Sequence, residues 1–155
     1  CCRTAVLGGH TQVCPDGHHT QVWYNSCKHR ACPQCAFLQT ARWLAKQKAR
    51  LLGGDHYHAI FTIPHDLNDL WQLNVKQMTN LLFRSVKHEL ITMLADPRHL
   101  GALPGIIMAL HTWGQTLSLH PHIHCLITGG GLQDGEWRPI NNGFLLPVKL
   151  LMRRF

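Results

Sequence analysis

Six of the seven cysteines lie before residue 36, and only Cys125 follows them. That asymmetry marks a domain boundary near residue 36, and Gly53-Gly54 marks a second break near residue 55. The order is Cys1-Cys2, then Cys14, twelve residues, Cys27, four residues, Cys32, two residues and Cys35. In Cys32-Pro-Gln-Cys35 the two-residue gap lets both thiolates face one ion while the intervening amides turn towards the sulfurs. With His18, His19 and His29 nearby, this reads as a thiolate and imidazole shell for zinc. A disulfide framework in a secreted domain is the competing reading, since an even subset of cysteines would permit it.

Thr20 to Tyr24 is rich in β-formers and predicts a short hairpin with the stretch before Cys14, turning on Pro15-Asp16-Gly17 in a zinc-ribbon-like layout. From Pro33 to Leu52, Phe37, Ala41, Leu44, Ala45, Leu51 and Leu52 recur at helical spacing, and Gly53-Gly54 stops the pattern. Arg42, Lys46 and Arg50 fall four residues apart on another face, supported by Lys48, Lys28 and Arg30. A solvated helix face accounts for most such stripes. Here Lys and Arg total 15 against 8 Asp and Glu, a formal charge of +7, which favours a polyanionic partner and a stripe that follows phosphates.

The remainder predicts an α+β domain. Tyr57 to Ile63 reads as a strand closed by Pro64, and Asp66 or Asn68 can cap a helical turn after it. Val75, Met78, Leu82, Val86, Leu90, Met93 and Leu94 share one face of a helix over Asn74 to Ala95, ended by Asp96-Pro97. Two strands follow, Ile106 to Thr116 and His122 to Thr128, then Gly129-Gly130-Gly131 and a short strand around Trp137. This order lays the long helix across one face of an antiparallel sheet and leaves the other face free. With 45% hydrophobic residues and five each of Trp and Phe, the chain excludes extensive disorder. Its most apolar stretch, Ala102 to Leu110, is far short of the ~20 residues that span a bilayer and contains Pro104 and Gly105, so no membrane partner is expected.

The most informative stretch is His120-Pro121-His122-Ile123-His124. Side chains alternate across a strand, so His122 and His124 share a face while Ile123 turns to the core. Pro121 is unwelcome inside a central strand, so the strand is expected to start at His122, leaving His120 outside the pair. Two neutral imidazoles with further donors can hold a divalent ion with open positions, able to polarise a phosphoryl oxygen.

These segments together resemble the rolling-circle transposases of the insertion sequence ninety-one family, members of the HUH endonuclease superfamily. The matching residues are Cys2-Arg3-Thr4-Ala5, Gly8-Gly9-His10, Tyr24-Asn25-Ser26-Cys27, the Cys32 to Cys35 knuckle and Ala41-Arg42-Trp43-Leu44. They continue with Phe61-Thr62-Ile63-Pro64-His65, Asp96 to Gly101, His111 to Gln115 and His120 to Leu126, covering nearly the whole chain in family order.

The resemblance implies a zinc-binding domain with a basic linker helix over residues 1–54 and a partial HUH catalytic domain over 55–155. The implied activity is nicking and rejoining of single-stranded DNA at transposon ends by metal-assisted tyrosine attack. His122 and His124 would hold Mg²⁺ or Mn²⁺; Cys14, Cys27, Cys32 and Cys35 would hold structural Zn²⁺, with Cys2 and His18 as further candidates; Arg42, Lys46 and Arg50 would contact DNA. Two departures stand out. The family's helical tyrosine pair is missing, since only Tyr24 and Tyr57 occur and both precede the histidines, so the chain reads as an excised piece that is inactive alone. Relatives often carry a second C-x-x-C near Cys14, whereas position 17 is Gly and His18 can substitute. The third ligand of the catalytic ion stays open between Gln115, His111 and a residue elsewhere. A bacterial cytoplasm follows from thiolate ligands and a DNA substrate. The competing functions are a zinc-stabilised single-stranded DNA-binding module without chemistry, and a zinc hydrolase, which lacks an H-E-x-x-H helix.

Overall fold

A computed structural model describes residues 1–29, 31–141 and 143–155; Arg30, counted above with the basic stripe, lies outside them. The chain forms two compact units, Cys1–Leu51 and Leu52–Phe155.

In the first unit β1 (Gly9–Val13) and β2 (Thr20–Tyr24) form the expected antiparallel hairpin, from Gly9 opposite Tyr24 to Val13 opposite Thr20. Gly9 lies so close to β2 that a Cβ would meet the Trp23 carbonyl oxygen at 2.5 Å. α1 (Pro33–Lys48) begins with Pro33 in its first turn, where a missing N–H costs nothing. It stops four residues short of the expected Leu52: Arg50 and Leu51 N–H donate to the Gln47 carbonyl, tightening the chain out of the helix. Its apolar stripe does not bury. Phe37 is 72% exposed, α1 has no buried residue, and every residue of β1 and β2 is exposed. Burial of apolar surface therefore cannot hold this unit together.

The second unit is α+β, as expected. β3 (His56–Thr62), β4 (Leu103–Trp113) and β5 (Leu119–Gln133) form an antiparallel sheet in the order β3-β5-β4, and β6 (Glu136–Pro139) pairs with the end of β5. A 3-10 turn (His65–Leu67) leads into α2 (Asn68–Leu73) and the 21-residue α3 (Val75–Ala95). Neither Asp66 nor Asn68 caps a helix; the Asn68 amide instead donates to the Leu119 carbonyl at the start of β5. Leu82, Val86, Leu90, Met93 and Leu94 of α3 are buried in one core with Ile123, Cys125 and Ile127, the odd-numbered face of β5. A short α4 (Val148–Arg154), which no periodicity marked, is tied to α3 by a 2.6 Å ion pair between Arg154 and Glu89. Among the described residues no helix is long and apolar enough to cross a membrane.

Two sequence expectations for β5 change. The strand starts at Leu119 and carries Pro121 inside it, buried. It can do so because β3 pairing ends with Thr62 opposite His122, and the β4 register is irregular between His111 and Trp113, so no ladder bond needs the missing N–H. Gly129-Gly130-Gly131 is strand rather than loop. A Cβ would meet the Asp55 carbonyl oxygen at 2.8 Å from Gly129, the Trp137 ring at 2.5 Å from Gly130, and the Leu103 carbonyl oxygen at 2.7 Å from Gly131. The glycines let neighbouring strands close in on both sides.

Candidate metal centres

In the first unit Cys2, Cys27, Cys32 and Cys35 converge, with one sulfur of each within 4.8 Å of all the others. Cys2 Sγ lies 3.1 Å and Cys27 Sγ 3.6 Å from Cys35 Sγ. Four sulfurs at about 2.3 Å from a tetrahedral ion stand about 3.8 Å apart, so the cluster has the size and donor type that zinc takes. The thiols already differ in acidity. The backbone N–H of Cys35 holds the Cys32 thiol below its ordinary value. The Ser26 hydroxyl, then Cys2, draws Cys35 down to about 6. Cys2 accepts from the Cys27 N–H, which favours its thiolate, yet the protons it shares with Cys35 and its other neighbours push it up to about 12.

This quartet differs from the expected one by a member: Cys2 stands where Cys14 was expected. Cys14 follows β1 at the turn of the hairpin, whereas Cys2 and Cys27 lie by its open end. Five residues of strand span about 16 Å, too far for one ion to bind at both ends. Cys14 and His18 stand instead with Asp16.

In the second unit the even-numbered face of β5 is the one α3 leaves free. His122 lies opposite His111 of β4 and Thr62 of β3, and His124 opposite Ala109 and Ile60. Strand pairing thus brings His111, His122 and His124 together, with one ring nitrogen of each within 4.8 Å of the others. Ring centroids are 4.2 Å apart for His111–His124, 5.0 Å for His122–His124 and 5.3 Å for His111–His122. His122 is 9% exposed, and its Nδ1 donates to the His120 carbonyl at 2.6 Å, which leaves Nε2 bare for a ligand. Burial first, then the charges of His111, His122 and His58, lowers the pKa of His124 and favours the neutral imidazole that binds metals. Of the alternatives for a third donor, His111 joins the pair, while Gln115 is exposed and lies past the end of β4. His120 turns aside to His65, with ring nitrogens 3.1 Å apart.

Arg42 and Lys46 are exposed on α1, and Arg50 is exposed in the turn beyond it. The first unit carries seven Lys and Arg against one acidic residue, Asp16, leaving +6 of the chain's +7.

The family model for the transposase zinc-binding domain of the insertion sequence ninety-one type matches residues 1–63, and a model described as "Putative transposase" matches residues 105–155. The chain is 45% identical over 156 residues to "Putative transposase y4qJ" of Sinorhizobium fredii (strain NBRC 101917 / NGR234), covering 99% of this chain and 39% of that protein. It is 36% identical over 143 residues to "Transposase for insertion sequence element IS801" of Pseudomonas savastanoi pv. phaseolicola, covering 90% of this chain and 34% of that protein. Along most of its length the chain is thus similar to transposases, and its first 63 residues to those of the insertion sequence ninety-one type. It spans less than two fifths of the length of these curated relatives. No solved structure matches it. All four clustered cysteines fall within the zinc-binding match, and the three clustered histidines within the other.

One neighbour escaped the sequence reading. His58 of β3 reaches His124 Nδ1 with its Nε2 at 2.9 Å, and the two rings stack. The signal was His56-Tyr57-His58 at the start of a predicted strand, the same alternation that marked His122 and His124.

Proposed function

We propose that this chain is the metal-binding and DNA-binding part of a transposase that nicks and rejoins single-stranded DNA in rolling-circle transposition. The observation that carries the reading is the convergence of His111, His122 and His124 on the open face of a sheet whose other face is packed by α3. In this reading residues 1–54 are the zinc-binding domain with its basic helix, held by Cys2, Cys27, Cys32 and Cys35, and residues 55–155 carry the catalytic face.

His111, His122 and His124 would hold the divalent ion through one ring nitrogen each. Three nitrogen donors suit Mn²⁺ better than Mg²⁺, which prefers oxygen. When bound, the ion supplies Lewis-acid polarisation of the scissile phosphate. His120 fixes the His122 tautomer through its carbonyl, and His58 orients the His124 ring. Arg42, Lys46 and Arg50 would track the DNA backbone, with the exposed Trp23, Phe37 and Trp43 offering stacking surfaces. Neither tyrosine stands among the histidines: Tyr24 belongs to β2, and Tyr57 packs against the core on the face opposite His58. We infer that the attacking tyrosine is neither of these.

The test is Mn²⁺ titration of the chain alone and with a single-stranded oligonucleotide. The wild type binds Mn²⁺ and binds DNA more tightly when the ion is present. His122→Ala with His124→Ala loses both effects while keeping its zinc. Unchanged Mn²⁺ affinity in the double variant sinks the site assignment. DNA binding indifferent to Mn²⁺ in the wild type would favour the second reading, a DNA-binding module without chemistry, for which the positive charge and exposed aromatics of the first unit speak.

A further inference from the structure

The turn of the β1–β2 hairpin holds a group of donors that the four-cysteine cluster leaves unused. Cys14, Asp16 and His18 occupy alternate positions, and one donor atom of each lies within 4.8 Å of the other two. Both ring nitrogens of His18 stand 3.7 Å from Cys14 Sγ. The backbone holds the turn in this shape: the Cys14 N–H donates to the His19 carbonyl at 2.9 Å, and the Gly17 N–H to the Cys14 carbonyl at 2.8 Å. Gly17 sits at φ +73°, a conformation that a side chain rarely adopts. Strand pairing has therefore already closed the loop, and little further entropy is lost when the donors share an ion. Cys14 is half-buried, while Asp16 and His18 are exposed.

We propose that this turn is a second metal site, separate from the four-cysteine cluster, in which Cys14 Sγ, a His18 ring nitrogen and an Asp16 carboxylate oxygen hold Zn²⁺. A mixed sulfur, nitrogen and oxygen set matches zinc and not the oxygen-seeking Mg²⁺ or Ca²⁺. Three protein donors leave a fourth position, which the exposed side of the turn opens to water or to an oxygen of an incoming ligand. The two ions divide the work of a missing core. The four cysteines tie the open end of the hairpin to α1, and the turn site clamps its closed end.

Alkylation of each cysteine in the zinc-loaded chain, followed by mass spectrometry, tests the site. Cys1, exposed and in neither donor group, sets the unprotected rate. Cys14 reacts at least about tenfold more slowly with zinc than after chelation, since a metal-held thiolate is a poor nucleophile. In His18→Ala, Cys14 becomes reactive with zinc still present while Cys2, Cys27, Cys32 and Cys35 stay protected. The proposal is overturned if Cys14 reacts equally with and without zinc, if it stays protected in His18→Ala, or if that variant exposes all five thiols together, which would make them one site. The four-cysteine assignment fails separately, if Cys2, Cys27, Cys32 and Cys35 react freely with zinc present.

Discussion

At Asp96 one side chain shapes the exit from α3. Its carboxylate accepts two hydrogen bonds from Arg98 Nε and one from Nη2, and a fourth from the Arg98 backbone N–H, while its carbonyl takes the N–H groups of His99 and Gly101. The Arg98 side chain first, then the Arg98 N–H, holds the carboxyl at about 2. A carboxyl whose pKa is lowered by folding adds stability above its unfolded value of about 3.9 and loses it as pH falls through the folded one. Asp96→Asn should therefore lower the thermal midpoint at pH 6, and the gap from wild type should close as pH approaches about 2. His58 makes the other prediction at this scale. If it orients His124, then His58→Ala weakens Mn²⁺ binding by about 10- to 100-fold without changing zinc content, measured by calorimetry. Equal Mn²⁺ affinity would leave His58 a bystander. The pair His122 and His124 was legible because alternation is local; His111 was legible only as one alternative for a third donor and His58 not at all, because their positions depend on strand register across eleven and sixty-six residues.

Among the elements, β5 carries the most instruction, with neighbours on both edges and a core on one face. Its glycines admit Leu103, Asp55 and Trp137 where any Cβ would strike backbone or ring. Gly130→Ala puts a methyl 2.6 Å from the Arg138 carbonyl oxygen as well as against Trp137, so it should destabilise the second unit by about 1–3 kcal/mol in denaturant unfolding. A neutral effect would mean that β6 does not pair there. Gly129-Gly130-Gly131 read as the end of a strand because glycine is a local breaker, and only the packed sheet gives it the opposite meaning. Pro121 misled in the same way, since a ladder position that needs no N–H cannot be seen from the chain. α3 was legible almost to its last residue, since its 3.6-residue apolar period is the same one its core face uses. Leu90, fully buried in that face, should cost about 2–5 kcal/mol on substitution by alanine.

Across the whole molecule the two units are held by different physics. The second has a core; the first has no buried hydrophobic residue among those described and gathers its sulfurs instead. Chelation should therefore abolish the structure of the first unit and spare that of the second, seen as loss of only the hairpin and α1 amide signals by NMR. Simultaneous loss of both sets of signals would contradict this division. The charge is divided as unevenly, and reversing Arg42 and Lys46 to Glu should reduce the slope of log affinity for single-stranded DNA against log salt by about 1.4. The zinc knuckle, the buried helix, the α+β order and the paired histidines follow from the sequence by itself, because each is a spacing between residues close in the chain. Tertiary structure alone decided that Cys2 joins the four-cysteine cluster while Cys14 stays at the turn, and that His111 stands with His122 and His124. Hairpin length and strand register set those distances, and neither is written in the spacing of the residues they bring together.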